Sequence, residues 1–127
     1  MNEKILIADD EESIRFTFTE FLTGAGYRVE TTDSLSGCIK RMQEESFDLL
    51  FLDIGFGADN GIEAIHALKV MQTDCKVVII TGSPRVKSRV EAKKYGATDY
   101  LAKPVHQASL LYNAKKILTT SSLSDYQ

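Results

Sequence analysis

The sequence predicts an α/β fold: one doubly wound domain whose five-stranded parallel sheet is covered by helices on both faces. Three observations carry this expectation. Short apolar runs, mostly rich in β-branched or aromatic residues, alternate with longer segments of helical periodicity. Five such strand–helix repeats fit within 127 residues, a length that suits one domain with one core. The runs at 4–9, 48–53 and 76–81 are nearly continuously apolar, as strands buried on both faces and central in a sheet must be.

KILIAD (4–9) is the first strand. Ile14, Phe18, Phe21 and Leu22 fall on one face of the helix that follows, which Gly24 or Gly26 ends. YRVET (27–31) is the second strand, and Leu35, Cys38, Ile39 and Met42 mark a second helix with Ser34 as its N-cap. DLLFLD (48–53) is the third strand; its apolar run is too short for a globular helix and right for a buried strand. Ile62, Ile65, Ala67, Leu68 and Met71 make the third helix, and KVVIIT (76–81) the fourth strand. Val86, Val90 and Ala97 mark a weaker fourth helix, TDYLA (98–102) the fifth strand, and Leu110, Leu111, Ala114, Ile117 and Leu118 the last helix. The domain is expected to span residues 1–118. TTSSLSDYQ (119–127) has the composition of a flexible tail or the start of a linker.

Composition narrows the function classes. Lys and Arg number 15 against 18 Asp and Glu, a net charge of −3, so no global attraction draws the chain to nucleic acid or anionic lipid. No apolar stretch approaches the roughly 18 residues of a membrane span, and no signal peptide precedes the charged MNEK start. Cys38 and Cys75 lack metal-ligand spacing and are expected as reduced thiols in a cytoplasmic protein.

Chemistry concentrates at the carboxyl ends of the strands, where open α/β sheets bind ligands. ADDEE (8–12) follows the first strand, and Asp53 ends the third. Asp9, Asp10 and Asp53 brought together repel by about 1 kcal/mol per pair in water and about four times that at intermediate dielectric. A hard divalent cation such as Mg²⁺ relieves that repulsion and suits a few carboxylate oxygens plus phosphate. Glu11 and Glu12 read as an acidic first helical turn. Thr81 ends the fourth strand with a hydroxyl, Gly82 leaves the approach open, and Lys103 ends the fifth strand before Pro104. An acid pair, a nucleophilic carboxylate, a hydroxyl and an ammonium are equipment for phosphoryl transfer onto Asp53.

In this order and spacing, ILIADDEESIR, LLFLDI with Gly61 eight residues after Asp53, IITGS and GATDYLAKP make residues 3–118 resemble the receiver domain of two-component response regulators, in the manner of a single chemotaxis-type receiver. The resemblance implies a flavodoxin-like sheet of strand order 2-1-3-4-5. It implies that Asp53 is the phosphoacceptor, served by a sensor histidine kinase or a phosphotransfer protein. Asp10 is expected to bind Mg²⁺ (or Mn²⁺) directly and Asp9 mainly through water, with Asp53 and the backbone carbonyl of Gly55 completing the ligands. Thr81 is expected to hydrogen-bond the phosphoryl oxygens and Lys103 to pair with them. Tyr100 is the switch aromatic, expected to turn inward as Thr81 moves toward the phosphate. The fourth helix, fifth strand and last helix form the implied signalling face, which serves a downstream protein or a fused output domain; the mixed apolar and basic pattern of that face is also compatible with a homodimer on phosphorylation. Gly57 and Asn60 depart from the family's usual Pro and Asp, and Gly55 and Ser83 stand at positions that influence hydrolysis in the family.

The implied role is a signalling phosphoacceptor, not an enzyme acting on an external substrate. A haloacid-dehalogenase-like phosphatase requires an acid/base Asp two residues after the nucleophile, where this chain has Gly55. An FMN-binding flavodoxin cradles phosphate in its first loop, which ADDEE would repel. RVKSRVEAKKY (85–95) reads as a solvated basic face, and no DNA-reading module follows it. His66 and His106 suit surface positions, and Phe16, Phe18 and Phe21 ordinary packing.

Overall fold

A computed structural model describes residues 2–55, 61–82, 90, 93–94 and 96–124, with the side chains of 61, 62 and 120–124 outside the description. In chain order the elements are β1 (Lys4–Ala8), α1 (Glu12–Gly24), β2 (Arg28–Thr32), α2 (Leu35–Glu44), β3 (Leu49–Asp53), α3 (Gly61–Met71), β4 (Lys76–Thr81), β5 (Asp99–Ala102) and a C-terminal helix (Gln107–Ser124). All strand pairs are parallel and the sheet order is β2-β1-β3-β4-β5, the doubly wound (βα) arrangement expected of the sequence. Strand bounds lie within one residue of the expected ones.

Alternation along the strands sorts the core into two layers. Leu6, Leu50, Leu52, Val77, Ile79 and Tyr100 face one side, where Cys38 and Met42 of α2 and Ile65 and Leu68 of α3 cover them. Ile5, Ile7, Leu49, Phe51, Val78 and Ile80 face the other, under Phe18 and Leu22 of α1 and Leu110, Ala114 and Ile117 of the C-terminal helix. Both faces of β1, β3 and β4 are therefore buried, which is why these strands read as unbroken apolar runs.

Local signals end the helices as expected in two places. Ser34 caps α2, its Oγ accepting from the Gly37 N–H at 3.0 Å. After α1 the chain reverses through Gly26 at φ 100°, a conformation that favours glycine, and enters β2. The C-terminal helix continues through 119–124. Of the weaker fourth helix, Val90 is helical and half exposed and Ala97 is buried, while Val86 lies outside the described residues.

Three packing expectations need correction. Phe16 is 67% exposed: two residues before Phe18 means about 200° of helical rotation, so the rings point to opposite sides of α1. Ala67 and Met71 of α3 are also exposed, leaving Ile65 and Leu68 as its buried contacts among the described residues, with the Ile62 side chain outside the description.

Both cysteines are free and buried, and burial pushes each thiol up to about 12. Relative to an ordinary thiol near 9, the thiolate fraction at pH 8 falls about 1,000-fold. Ellman's reagent at pH 8 is expected to label neither cysteine in the native protein and both after denaturation. The linked stability is fully present below about pH 9 and is lost as pH rises toward 12, because only the unfolded chain then sheds thiol protons.

Candidate functional site

Strand register assembles the site. Ala8 pairs with Leu52, so the next residues, Asp9 and Asp53, emerge side by side at the carboxyl edge. Both continue the alternation of Ile5, Ile7, Leu49 and Phe51, toward α1 and the C-terminal helix. Thr81 pairs with Ala102, and the Lys103 N–H donates to the Thr81 carbonyl at 2.7 Å, which fixes the start of the Lys103 side chain beside β4. Asp9 is fully buried, and Asp53 and Thr81 are each 5% exposed.

Lys103 lies at the centre. Its Nζ is 2.9 Å from Asp9 Oδ2, 2.8 Å from Glu11 Oε1 and 3.3 Å from Asp53 Oδ2. Two of these carboxylates are also held from the main chain: Asp9 Oδ1 accepts from the Glu11 N–H, and Asp53 Oδ1 from the Gly55 N–H, both at 2.8 Å. A Cβ on Gly55 would lie 3.2 Å from Asp53 Oδ1, so a side chain there would crowd the acceptor oxygen. The Arg15 guanidinium donates to the Asp9 carbonyl at 2.9 Å and ties the first turn of α1 to the rim.

The charges are strained against one another. Burial raises the Asp9 carboxyl above its usual range and the Asp53 charge adds to this, against the Glu11 N–H and Lys103. Burial would lower the Lys103 ammonium, but hydrogen bonds to Glu11 and Asp9 and the charges of Asp53 and Asp9 outweigh it and raise Lys103 well above its usual value. One lysine thus balances three carboxylates.

Asp9, Asp10, Glu11 and Asp53 each offer an oxygen, and the four oxygens lie within 4.8 Å of one another. Asp9 Oδ2 is buried and, apart from its ion pair with Lys103, has no well-aligned hydrogen bond. A fully buried oxygen with spare lone pairs among hard donors fits a divalent cation. The residues present therefore suit the metal expected from the sequence.

Asp9, Asp10, Asp53, Thr81 and Lys103 thus stand at the carboxyl edge of the sheet. Thr81 and Tyr100 fall on the opposite side of the sheet from Asp53, toward α2 and α3, and the Tyr100 ring is buried in that layer. Gly57, Asn60 and Ser83 lie outside the described residues, as does most of 85–95. His66 and His106 are exposed. Sequence reasoning missed Glu11 and Arg15. Glu11 read as an acidic helix start, but at the N-cap of α1 its side chain makes no capping bond and reaches Lys103 instead. No pattern in the sequence signals a pairing across 92 positions.

Among the described residues no helix is long and apolar enough to cross a membrane. The family model described as the response regulator receiver domain matches residues 5–115. The alginate biosynthesis transcriptional regulatory protein AlgB of Pseudomonas syringae is 37% identical over 95% of this chain, and the transcriptional regulatory protein ZraR of Klebsiella oxytoca 33% over 95%. In both cases the chain spans only 27% of the relative's length. A CheY-like receiver domain structure from Methanospirillum hungatei aligns with a TM-score of 0.93 at 26% identity, covering 98% of this chain and 99% of the other. A response regulator structure from Burkholderia pseudomallei, described with a phosphorylated aspartic acid, a calcium ion and citrate, aligns with a TM-score of 0.83 at 29% identity, covering 97% and 75%. With sequence relatives, solved structures and the rim of carboxylates and lysine in agreement, this chain belongs to the response regulator receiver domain family.

Proposed function

We propose that Asp53 is the phosphoacceptor of this receiver, taking a phosphoryl group from the phosphohistidine of a sensor histidine kinase or phosphotransfer protein. One observation carries this: Asp53 is a nearly buried carboxylate at the end of a central strand, with Lys103 Nζ 3.3 Å away and three other acids clustered beside it. A carboxylate oxygen of Asp53 attacks phosphorus as the phosphorus–nitrogen bond of the donor breaks, and the electron pair leaves with the imidazole. The product is an acyl phosphate carrying about two negative charges where there was one.

Asp10, Asp9, Asp53 and the Gly55 carbonyl are the proposed holders of Mg²⁺ or Mn²⁺. When bound, that cation supplies positive charge that offsets the clustered carboxylates and the incoming phosphoryl oxygens. Lys103 is the residue proposed to pair with the phosphoryl group, and the Thr81 hydroxyl to donate to it. The Gly55 N–H holds Asp53 in place and leaves its flank bare for the donor. Thr81 and Tyr100 share one side of the sheet, so motion of Thr81 toward the phosphate alters the room available to the ring. This is the proposed switch, read out on the face of the fourth helix, β5 and the C-terminal helix by a downstream protein, a fused output domain or a second copy. The receiver unit is taken as residues 1–118.

Incubation with acetyl phosphate tests the reading. A single phosphoryl adduct is expected by intact mass in Mg²⁺ and none in excess chelator. Equal labelling in both conditions would contradict the proposed cation requirement.

A further inference from the structure

Lys103 has three donors and three carboxylates, and one of the three does not belong to the buried pair. Asp9 and Asp53 are enclosed, whereas the Glu11 side chain is 56% exposed and Lys103 is 11% exposed. Glu11 Oε1 nevertheless makes the shortest of the three contacts, at 2.8 Å. Its backbone is held separately, by its N–H on Asp9 Oδ1 and by its carbonyl accepting from the Arg15 N–H at 3.2 Å. The side chain is therefore free of any capping duty and is aimed across the rim at the ammonium.

We propose that Glu11 is a positioning residue for Lys103, an outer counter-ion that holds the ammonium at the solvent side of the site and competes for it with a phosphoryl group on Asp53. The assignment rests on the phosphoacceptor reading and adds a regulator of how readily the phosphorylated form is occupied. A phosphoryl oxygen and Glu11 Oε1 are both anionic acceptors, so they contend for the same Lys103 donors and repel each other. Glu12, the next acid, has no contact with Lys103 among the described residues and serves as a control for bulk charge.

The test is the affinity for beryllofluoride, a mimic of the phosphoryl group, at saturating Mg²⁺, followed by amide shifts in β3 and β4. Glu11→Gln is expected to tighten binding about fivefold, the size of a partly exposed ion pair, and Glu12→Gln less than about twofold. The Glu11→Gln gain is expected to vanish when Lys103→Met is already present, which a general charge effect would not produce. Equal gains from Glu11→Gln and Glu12→Gln, a gain that persists without Lys103, or weaker binding by Glu11→Gln would each overturn the assignment. Wild-type protein that takes up no beryllofluoride overturns the phosphoacceptor reading as well, whereas wild-type binding with an unchanged Glu11→Gln overturns only the role of Glu11.

Discussion

Asp53→Asn is expected to lose the acetyl phosphate adduct by at least about 100-fold while remaining folded. The amide keeps the shape of the side chain but has no anionic oxygen with which to attack phosphorus. Unfolding does not explain such a loss. Removing the Asp53 charge relieves a repulsion that raises the Asp9 carboxyl, and Lys103 retains Asp9 and Glu11 as partners. Urea unfolding of Asp53→Asn should therefore give a midpoint equal to or above that of the wild type. A midpoint well below it would mean that Asp53 supports the fold, and the activity result would lose its meaning.

The second large effect is on stability. Lys103→Met leaves Asp9 and Asp53 enclosed without their cation, and removing one partner of an enclosed ion pair is costly where its exchange for a matched apolar pair is not. In metal-free buffer a loss of about 2 kcal/mol is expected, reduced from the deeply buried case because the rim is open on one side. The folded-state pKa of Lys103 is raised, so the stability it contributes is complete below its unfolded value near 10.5 and disappears only as pH climbs through the folded value. The deficit of Lys103→Met should thus persist on the alkaline side up to about pH 9 and shrink in acid as the raised Asp9 carboxyl takes up a proton. Mg²⁺ should stabilise the mutant more than the wild type, since in the wild type the cation competes with the ammonium for the same oxygens; a cation present at 100 times its dissociation constant adds about 2.7 kcal/mol. Thermal melts with and without Mg²⁺ read both effects, and an Mg²⁺ gain no larger in Lys103→Met than in the wild type would argue against a shared set of oxygens.

Most of the fold was legible because the signals are local and repeated. The apolar runs of β1, β3 and β4 announce strands buried on both sides, and Ser34 and Gly26 act on their own few residues. The site was legible for a related reason: strand ends in a parallel sheet meet at one edge, so Asp9, Asp53, Thr81 and Lys103 converge once the strands are placed. What escaped depends on rotation and reach. Phe16 looked like packing because it stands among other phenylalanines, but only the helical angle decides which side of α1 it occupies. Glu11 looked like a helix-dipole residue, and its actual partner comes from β5 at the far end of the sequence.

The central claim is that one carboxylate among several at this rim receives the phosphoryl group. Borohydride reduction after acetyl phosphate treatment in Mg²⁺, followed by peptide sequencing in the mass spectrometer, tests it most directly, since reduction turns an aspartyl phosphate into homoserine. Conversion at Asp53 alone is the predicted result. Conversion at Asp9 or Asp10, or a phosphoryl group on a hydroxyl that borohydride leaves untouched, would contradict it.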